Sequence, residues 1–244
     1  MEIKKIEGIV LYEMPYKESS KIIKIYTKED GLISAIAKGS KRLKSNLRSV
    51  TDKLTYANFE ISYKKDGLST LISADVINPY INIKKDIVKI SYSNYLLELT
   101  SQIIKQSMNN NIYNLLISSL LKINDGYDPM VITNILELKC LDYLGVTPNL
   151  DGCAICGSKD VVTLSASAGG FVCNKHLKND YIVTDKTIKI IRMLRYLDID
   201  KISKIDLSSN IKNEINNFID DYYDRYTGLF MKSKEFIKDV EKLN

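Results

Sequence analysis

The sequence predicts an α+β multidomain protein in which an N-terminal five-stranded OB-fold β-barrel precedes an α-helical domain with an inserted zinc-ribbon-like module. Three observations predict this organisation. β-Branched runs separated by turn residues fill 1–78, a helical period begins at residue 79, and three cysteines with the single histidine cluster within about 150–180. The expected domains are therefore 1–78 for the barrel and 79–244 for the helical domain.

The barrel is expected to contain two hairpins joined by a long connection. Asp30-Gly31 and Asp66-Gly67 are strong hairpin-turn signals. Closing five strands into a barrel removes exposed sheet edges, and this order fits the OB-fold better than a sandwich, with an SH3-like barrel as the alternative. The strands are expected at 6–12, 21–27, 32–38, 54–63 and 68–76.

The last of these strands shows an alternating apolar pattern. Alternation with a period of two is typical of a strand with one buried face. We therefore expect the following side chains to point into the barrel: Leu68, Thr70, Ile72, Ala74 and Val76.

The helical domain carries recognisable helix boundaries. Asp128 is the expected N-cap of a helix that begins at Pro129 and ends near Gly145. Thr184 is expected to cap a later helix, and Ser208 or Ser209 to begin the last one. The other predicted helical segments are 87–106, 111–123, 186–197 and 211–230.

Composition and patterning predict a globular protein that is neither disulfide-stabilised, secreted nor membrane-spanning. The chain has 244 residues and is 45% hydrophobic, which is enough for a real core. Four cysteines do not make a disulfide framework, the N-terminus lacks a secretory signal, and no stretch approaches the ~20 apolar residues that cross a bilayer. We expect a cytoplasmic protein without a membrane partner.

The cysteine cluster predicts a metal site. Cys153 and Cys156 are separated by two residues, and Cys173 and His176 repeat that spacing. A two-residue gap lets one tight turn direct two ligands at a single ion, and two such pairs complete the tetrahedron that suits Zn²⁺. We therefore predict one structural zinc ion held by these four residues.

Two other interpretations of the cysteines are open. Cys153 and Cys156 could form a redox pair, although that motif normally lies in a βαβ setting, or the cysteines could simply pack in a core. Cys140, at an apolar position of the preceding helix, is expected to be a buried small side chain rather than a fifth ligand. Four protein ligands would leave no coordination position for a catalytic water.

The long connection between the two barrel hairpins is strongly basic. No acidic residue occurs from Gly31 to Thr51. OB-fold barrels bind oligonucleotides across one face and its flanking loops, so the cations of this connection are candidate DNA contacts; a merely solvated loop is the alternative. These cations are Lys38, Lys41, Arg42, Lys44 and Arg48.

Further features allow more than one interpretation. A stripe of cations on one predicted helix could extend a nucleic-acid path, meet an acidic partner tail, or be an ordinary solvent face: Lys186, Lys189, Arg192 and Arg195. Asp220 and Asp221 are expected on a solvated helix face. Most barrel aromatics should pack in the core, while some could stack bases: Tyr12, Tyr16, Tyr26, Tyr56, Phe59 and Tyr63.

Several longer motifs follow one another in a fixed order. They are GIVLYEMPYKESSKIIKIYTKEDGLISAIAKGSKRLKS, LDYLGVTPNLDGCAICG, SASAGGFVC and LFMKSKEF. Together they make the chain resemble the bacterial RecO family of recombination mediators over nearly its full length. The resemblance implies an OB-fold domain, a helical domain and, in many members, a zinc module; His176 stands where a cysteine is common.

The same resemblance implies a function. It implies binding of single- and double-stranded DNA, annealing of complementary strands, and action with RecR and the single-strand binding protein to load RecA, in the cytoplasm and at the nucleoid during repair. It implies a mediator rather than an enzyme. The alternatives are a protein-interaction scaffold with a structural zinc, or a zinc-dependent hydrolase or deaminase, which would need an open coordination position and a general base.

Overall fold

The computed structural model describes residues 2–65, 67–106, 112–203 and 205–242. Two residues named in the sequence predictions, Asp66 of the second hairpin turn and Asn111 at the start of a predicted helix, lie outside the described residues.

A closed five-stranded barrel forms the N-terminal part of the chain. Its strands hydrogen-bond in the order β1-β2-β3-β5-β4, and β4 pairs with β1 to close it. β3 and β5 run parallel, whereas the other neighbours are antiparallel. This is the five-stranded Greek-key strand order expected of an OB-fold. The strands are β1 (Glu2–Tyr16), β2 (Ser20–Thr27), β3 (Leu32–Ala37), β4 (Tyr56–Tyr63) and β5 (Ser69–Asn78).

The predicted buried face of β5 is wrong. Leu68, Ile72 and Val76 are exposed, and Thr70 is half-buried. Leu71 is instead buried in the barrel core.

A β-bulge explains the burial of Leu71 and the exposure of Leu68 and Ile72, but not the exposure of Val76, which lies beyond it. Ser73 pairs with Glu60 and Leu71 pairs with Ile61, so Ile72 is an extra residue in β5. The extra residue reverses the face on which later side chains lie. Leu71 therefore points inward before the bulge. Ala74 packs against the core after the bulge, and it is the one residue of the predicted set that does so.

The helical part follows the barrel and contains one small hairpin. Asp128 accepts hydrogen bonds from the backbone N–H groups of Met130 and Val131, and Thr184 accepts one from Thr187, which confirms both predicted N-caps. The helices are α1 (Ile81–Lys84), α2 (Ile87–Gln106), α3 (Ile112–Asn124), α4 (Pro129–Tyr143), α5 (Asp185–Tyr196), α6 (Ser209–Tyr226) and α7 (Lys232–Glu241). The hairpin consists of β6 (Thr163–Ser165) and β7 (Gly170–Val172).

The C-terminal helical prediction is wrong in its extent. The predicted helix continued to residue 230, but α6 ends at Tyr226 and a separate helix, α7, begins at Lys232. Gly228 between them has φ 63°, in the left-handed region that favours glycine and commonly ends helices. α7 then packs back against α2.

The barrel and the helices share one apolar core. Tyr26 of β2 meets Tyr113 of α3 edge to face, with ring centroids 5.4 Å apart. Tyr56 of β4 stacks on Tyr80, with centroids 6.3 Å apart. These rings join the barrel to a cluster that extends through the helices, while the barrel interior has a separate cluster around Phe59. None of the helices in the described part of the chain is both long and apolar enough to span a bilayer.

A buried charge cluster connects α2, α4, α6 and α7. Glu137 is fully buried; its carboxylate accepts hydrogen bonds from the Tyr95 hydroxyl and from Lys234 Nζ, the latter at 2.9 Å. Lys234 Nζ also lies 2.6 Å from Asp220. Asp220 is therefore part of this cluster, and its predicted place on a solvated face is wrong; Asp221 is exposed, as predicted, and pairs with Arg225.

The opposing charges in the cluster depend on one another. Burial raises the pKa of Glu137 above its ordinary value, and the Lys234 ammonium opposes that rise. Burial lowers the pKa of Lys234, but the carboxylates of Glu137 and Asp220 outweigh it and raise that pKa. Lys234 is thus the counter-charge of the buried Glu137 carboxyl group.

The substitution Lys234→Met should destabilise the protein by about 3–5 kcal/mol, because it leaves the Glu137 carboxylate buried and unpaired. Urea unfolding monitored by circular dichroism measures this. Lys238→Met is the matched control: the Lys238 ammonium is exposed and 4.0 Å from Asp220, so its loss should change stability by less than about 1 kcal/mol.

The loss in the free energy of unfolding that Lys234→Met causes should also depend on pH. Without Lys234, burial and the neighbouring Asp220 carboxylate hold the pKa of Glu137 above its ordinary 4.5 in the folded state, opposed only by the hydrogen bond from Tyr95. The folded state then binds the proton more tightly than the unfolded state, so the free energy of unfolding falls as the pH rises above that value. A deficit that is equal or larger at pH 5 than at pH 8 would contradict this account.

Candidate metal centre and nucleic-acid interface

The two glycines of the β6–β7 hairpin hold the cysteine module together. Gly170 has φ 149°, and a Cβ there would lie 2.2 Å from the carbonyl oxygen of Asn149, so only glycine permits this approach. Asn149 donates to the Gly169 carbonyl at 2.9 Å and accepts from the Phe171 N–H at 2.9 Å. The hairpin therefore docks on the segment before the first cysteine.

Each ligand pair lies on its own tight turn. The Cys153 N–H donates to the Ser158 carbonyl at 2.8 Å, and the Gly157 N–H donates back to the Cys153 carbonyl at 2.8 Å. On the second turn, the His176 N–H donates to the Cys173 carbonyl at 3.0 Å. The hairpin between these turns brings the two pairs face to face.

The four predicted ligands meet at one point. Their ligand atoms lie within 4.8 Å of one another. His176 Nδ1 is 3.3 Å from Cys173 Sγ and 3.6 Å from Cys153 Sγ, and Cys156 Sγ is 3.7 Å from Cys173 Sγ. Zn–S bonds of about 2.3 Å and Zn–N bonds of about 2.0–2.1 Å give tetrahedron edges of about 3.8 Å between sulfurs and about 3.5 Å from sulfur to nitrogen. These residues therefore form a potential metal-binding site.

The cluster argues against the other interpretations of the cysteines. A redox pair requires two sulfurs, whereas here a third sulfur and an imidazole nitrogen lie at ligand distance. Cys153 and Cys173 are buried and Cys156 is exposed. Cys140 is buried in the helical core and is not part of the cluster, as predicted.

The predicted cationic stripe on α5 divides into two parts. Arg192 Nε donates to the Leu150 carbonyl at 2.9 Å, and its guanidinium lies 5.2 Å from the centre of the Phe171 ring. Arg195 pairs with Asp142 at the end of α4. These two arginines hold the cysteine module and α4 rather than presenting a free cationic surface; Lys186 and Lys189 are exposed.

The connection between β3 and β4, residues 38–55, is anchored to the barrel at several points. We call it the basic loop. The Lys41 N–H donates to the Ser19 carbonyl at 2.9 Å, and the Gly39 N–H donates to the Ser20 hydroxyl at 3.2 Å. Val50 is buried and Leu47 packs against the barrel core. The loop therefore has a defined path across the barrel.

The five predicted DNA contacts project from this path into solvent. Successive turns are closed by N–H to carbonyl bonds from Arg42 to Gly39, from Ser45 to Arg42 and from Arg48 to Ser45, at 3.0, 3.1 and 3.1 Å. All five cations are exposed, and within the described ranges none forms an ion pair. The five are Lys38, Lys41, Arg42, Lys44 and Arg48.

A groove between the barrel and the helices was not predicted. It has a volume of about 670 Å³ and lies between β1, the end of the basic loop, α2 and α7. Sequence patterns contain no signal for it because its walls come from distant parts of the chain and α7 was not predicted. Of the barrel aromatics, Tyr12 lines this groove, whereas Tyr26, Tyr56 and Phe59 are buried in the two cores.

Comparisons with known proteins cover nearly the whole chain. The model of the recombination protein O N terminal domain matches residues 1–80, and that of the recombination protein O C terminal domain matches residues 84–235. The DNA repair protein RecO of Listeria monocytogenes serotype 4b (strain CLIP80459) is 35% identical over 98% of this chain and 96% of the relative. Those of Halalkalibacterium halodurans and Bacillus cytotoxicus are 34% and 33% identical over 98% of this chain, with 96% and 98% of each relative covered.

Arg192→Ala should lower stability by about 1–3 kcal/mol, because it removes a charged hydrogen bond to the Leu150 carbonyl and the contact with Phe171. Lys189→Ala, at an exposed position of the same helix, should change stability by less than about 0.5 kcal/mol. Thermal unfolding of both variants tests this. Equal effects would mean that Arg192 does not hold the module.

Proposed function

The chain belongs to the RecO family of DNA repair proteins, and from this membership we propose that it is a recombination mediator that binds single- and double-stranded DNA. In this proposal it anneals complementary strands and helps to load recombinase onto DNA coated with single-strand binding protein. It acts through binding and carries out no chemical step. We assign the barrel to residues 1–78 and the helical domain to 79–244.

The basic loop is the observation that supports this function best. Its five exposed cations have no ion-pair partner within the described residues, so binding phosphates would not require them to break an ion pair. The hydroxyl of the exposed Ser49 beside them can add a phosphate contact. Because such contacts reach only the backbone, binding should be independent of sequence.

Annealing follows from the same electrostatics. Two complementary strands repel each other through their phosphates, and a surface of counter-charges lowers that repulsion. Cations that contact phosphates leave the base edges available for pairing. Five contacts to single-stranded DNA would give a salt slope of about −3.5, which is a loss of roughly a hundredfold between 50 and 200 mM salt.

We propose Zn²⁺ as the metal of the cysteine module, with Cys153, Cys156, Cys173 and His176 as its ligands. Three thiolates and one imidazole suit this borderline-soft ion. Four protein ligands complete a tetrahedron, so the role is structural rather than catalytic. This supports a mediator over a zinc hydrolase or deaminase, which needs an open coordination position.

Partners and location complete the proposal. The family resemblance supports RecR and the single-strand binding protein as protein partners, with RecA as the recombinase. It also supports action in the bacterial cytoplasm, at the nucleoid during repair. A scaffold whose barrel contacts only protein is the competing function, and the basic loop distinguishes the two.

The double substitution Arg42→Ala/Lys44→Ala should weaken binding to single-stranded DNA by about 25-fold at 0.1 M salt, because two phosphate contacts are lost. The salt slope should become shallower by about 1.4. Lys186→Ala/Lys189→Ala is the matched control: it removes the same charge from exposed positions outside the loop and should change both quantities much less. Fluorescence anisotropy with a labelled oligonucleotide measures them. Unchanged affinity and slope in the loop variant would favour the scaffold.

The purified protein should contain one zinc ion per chain, measured by atomic absorption. Cys173→Ser should lose this metal and lower the melting temperature, because metal binding contributes free energy to folding. His176→Cys should retain zinc, since a fourth thiolate is also a good ligand. Cys140→Ala removes a thiol outside the cluster and should keep the full zinc content. Metal-free protein with an unchanged melting temperature would contradict the assignment.

A further inference from the structure

The groove between the barrel and the helices has an aromatic ring on each wall. Tyr12 of β1 lines the barrel side and Phe236 of α7 lines the helical side. These side chains are 46% and 47% exposed. Large rings that remain exposed on both walls of one groove are available to contact a ligand.

The groove is also positively charged. Lys53, Lys105 and Lys232 line it, and none of them forms an ion pair in the part of the chain that the structure describes. The acidic residue of the described lining is Glu98, whose carboxylate accepts hydrogen bonds from the backbone N–H of Ser233, at 2.9 Å, and from the Ser233 hydroxyl. Three lysines outnumber the one carboxylate, which is already hydrogen-bonded to Ser233, so the groove favours an anionic ligand.

The combination of aromatic rings and lysines indicates which kind of anion the groove would bind. Single-stranded DNA offers phosphates to lysines and unstacked bases to aromatic rings, which is how strand-binding grooves work. In a duplex the base faces are already stacked inside the helix, so the rings would have no partner. An acidic peptide would satisfy the lysines but would offer a planar surface only at aromatic side chains, whereas every nucleotide of a single strand carries a planar base beside its phosphate.

The groove continues the basic loop along the chain. Lys53 lies in the same connection as Arg48, five residues later, so their Cα atoms are at most about 18 Å apart. An OB-fold site covers about 4–16 nucleotides, which is long enough to span both. A strand that contacts the loop can therefore enter the groove.

We propose that this groove is a single-strand-specific subsite in which Tyr12 and Phe236 stack bases and Lys53, Lys105 and Lys232 contact the flanking phosphates. The proposal rests on the proposed DNA-binding function and adds a division of labour to it. The basic loop binds backbones of either DNA form, and the groove discriminates in favour of the single strand.

The sequence provides a direct test because it contains no tryptophan. Phe236→Trp places a unique fluorophore in the groove, and stacking on a base should quench it when oligothymidylate is added at low salt. Tyr181→Trp is the matched control, since Tyr181 is 71% exposed and does not line the groove. Its fluorescence should stay nearly constant at the same DNA concentrations.

Removing the rings gives a second readout. Tyr12→Leu/Phe236→Leu keeps apolar side chains but abolishes stacking, so affinity for single-stranded DNA should fall roughly tenfold or more while affinity for duplex DNA stays the same. An equal fall in both affinities, or fluorescence of the Phe236→Trp variant that does not change at saturation, overturns the groove assignment. In either of those cases wild-type binding of the labelled oligonucleotide leaves the proposed function intact. Wild-type protein that binds neither DNA form overturns the proposed function itself.

Discussion

The packing of the barrel into the core of the helical domain is the constraint on which the rest of the structure depends. Glu7 of β1 accepts hydrogen bonds from the hydroxyls of Tyr56, at 2.7 Å, and Tyr113, at 3.3 Å. Burial raises the pKa of Tyr56 to about 12, and the neighbouring carboxylate adds to that rise, so this phenol stays protonated and donates. Tyr80 stacks on Tyr56 in a left-handed conformation, φ 47°, supported by a 2.8 Å hydrogen bond from its N–H to Asn78. At this junction the tyrosine rings make the apolar contacts, and the Tyr56 and Tyr113 hydroxyls donate hydrogen bonds to Glu7.

This junction also fixes the surfaces to which we assign function. The basic loop ends at Leu54 and Thr55, next to Tyr56, and the Leu54 N–H donates to the Val10 carbonyl of β1 at 3.0 Å. Leu54 belongs to the core shared with the helices. One end of the loop is thus held by the barrel–helix packing. The groove forms because α2 packs against β1 and α7 packs against α2. In the proposed function, a surface fixed in this way avoids the entropic cost of ordering a long loop when DNA binds.

Local chemistry explains which elements could be predicted from sequence. The capping of α4 by Asp128 and the two ligand turns depend on residues a few positions apart, so their pattern is visible in the chain. The outward direction of the Ile72 side chain could not be predicted, because the bulge is defined by the pairing of β5 with β4. Asp220 was placed in solvent because its partner Lys234 lies on α7, which the sequence did not indicate. Arg192 fits a helical stripe, but its role depends on a carbonyl 42 residues away in the chain.

Hydrogen–deuterium exchange of the metal-loaded protein, with and without oligothymidylate, tests the central claim most directly. The claim is that a preformed basic loop on the barrel contacts the DNA backbone. The account predicts that DNA protects amides of residues 38–55 at low salt, that this protection is lost as salt increases, and that the cysteine module and α5 exchange as before. Protection confined to the module or to α5, with residues 38–55 unaffected, would contradict it.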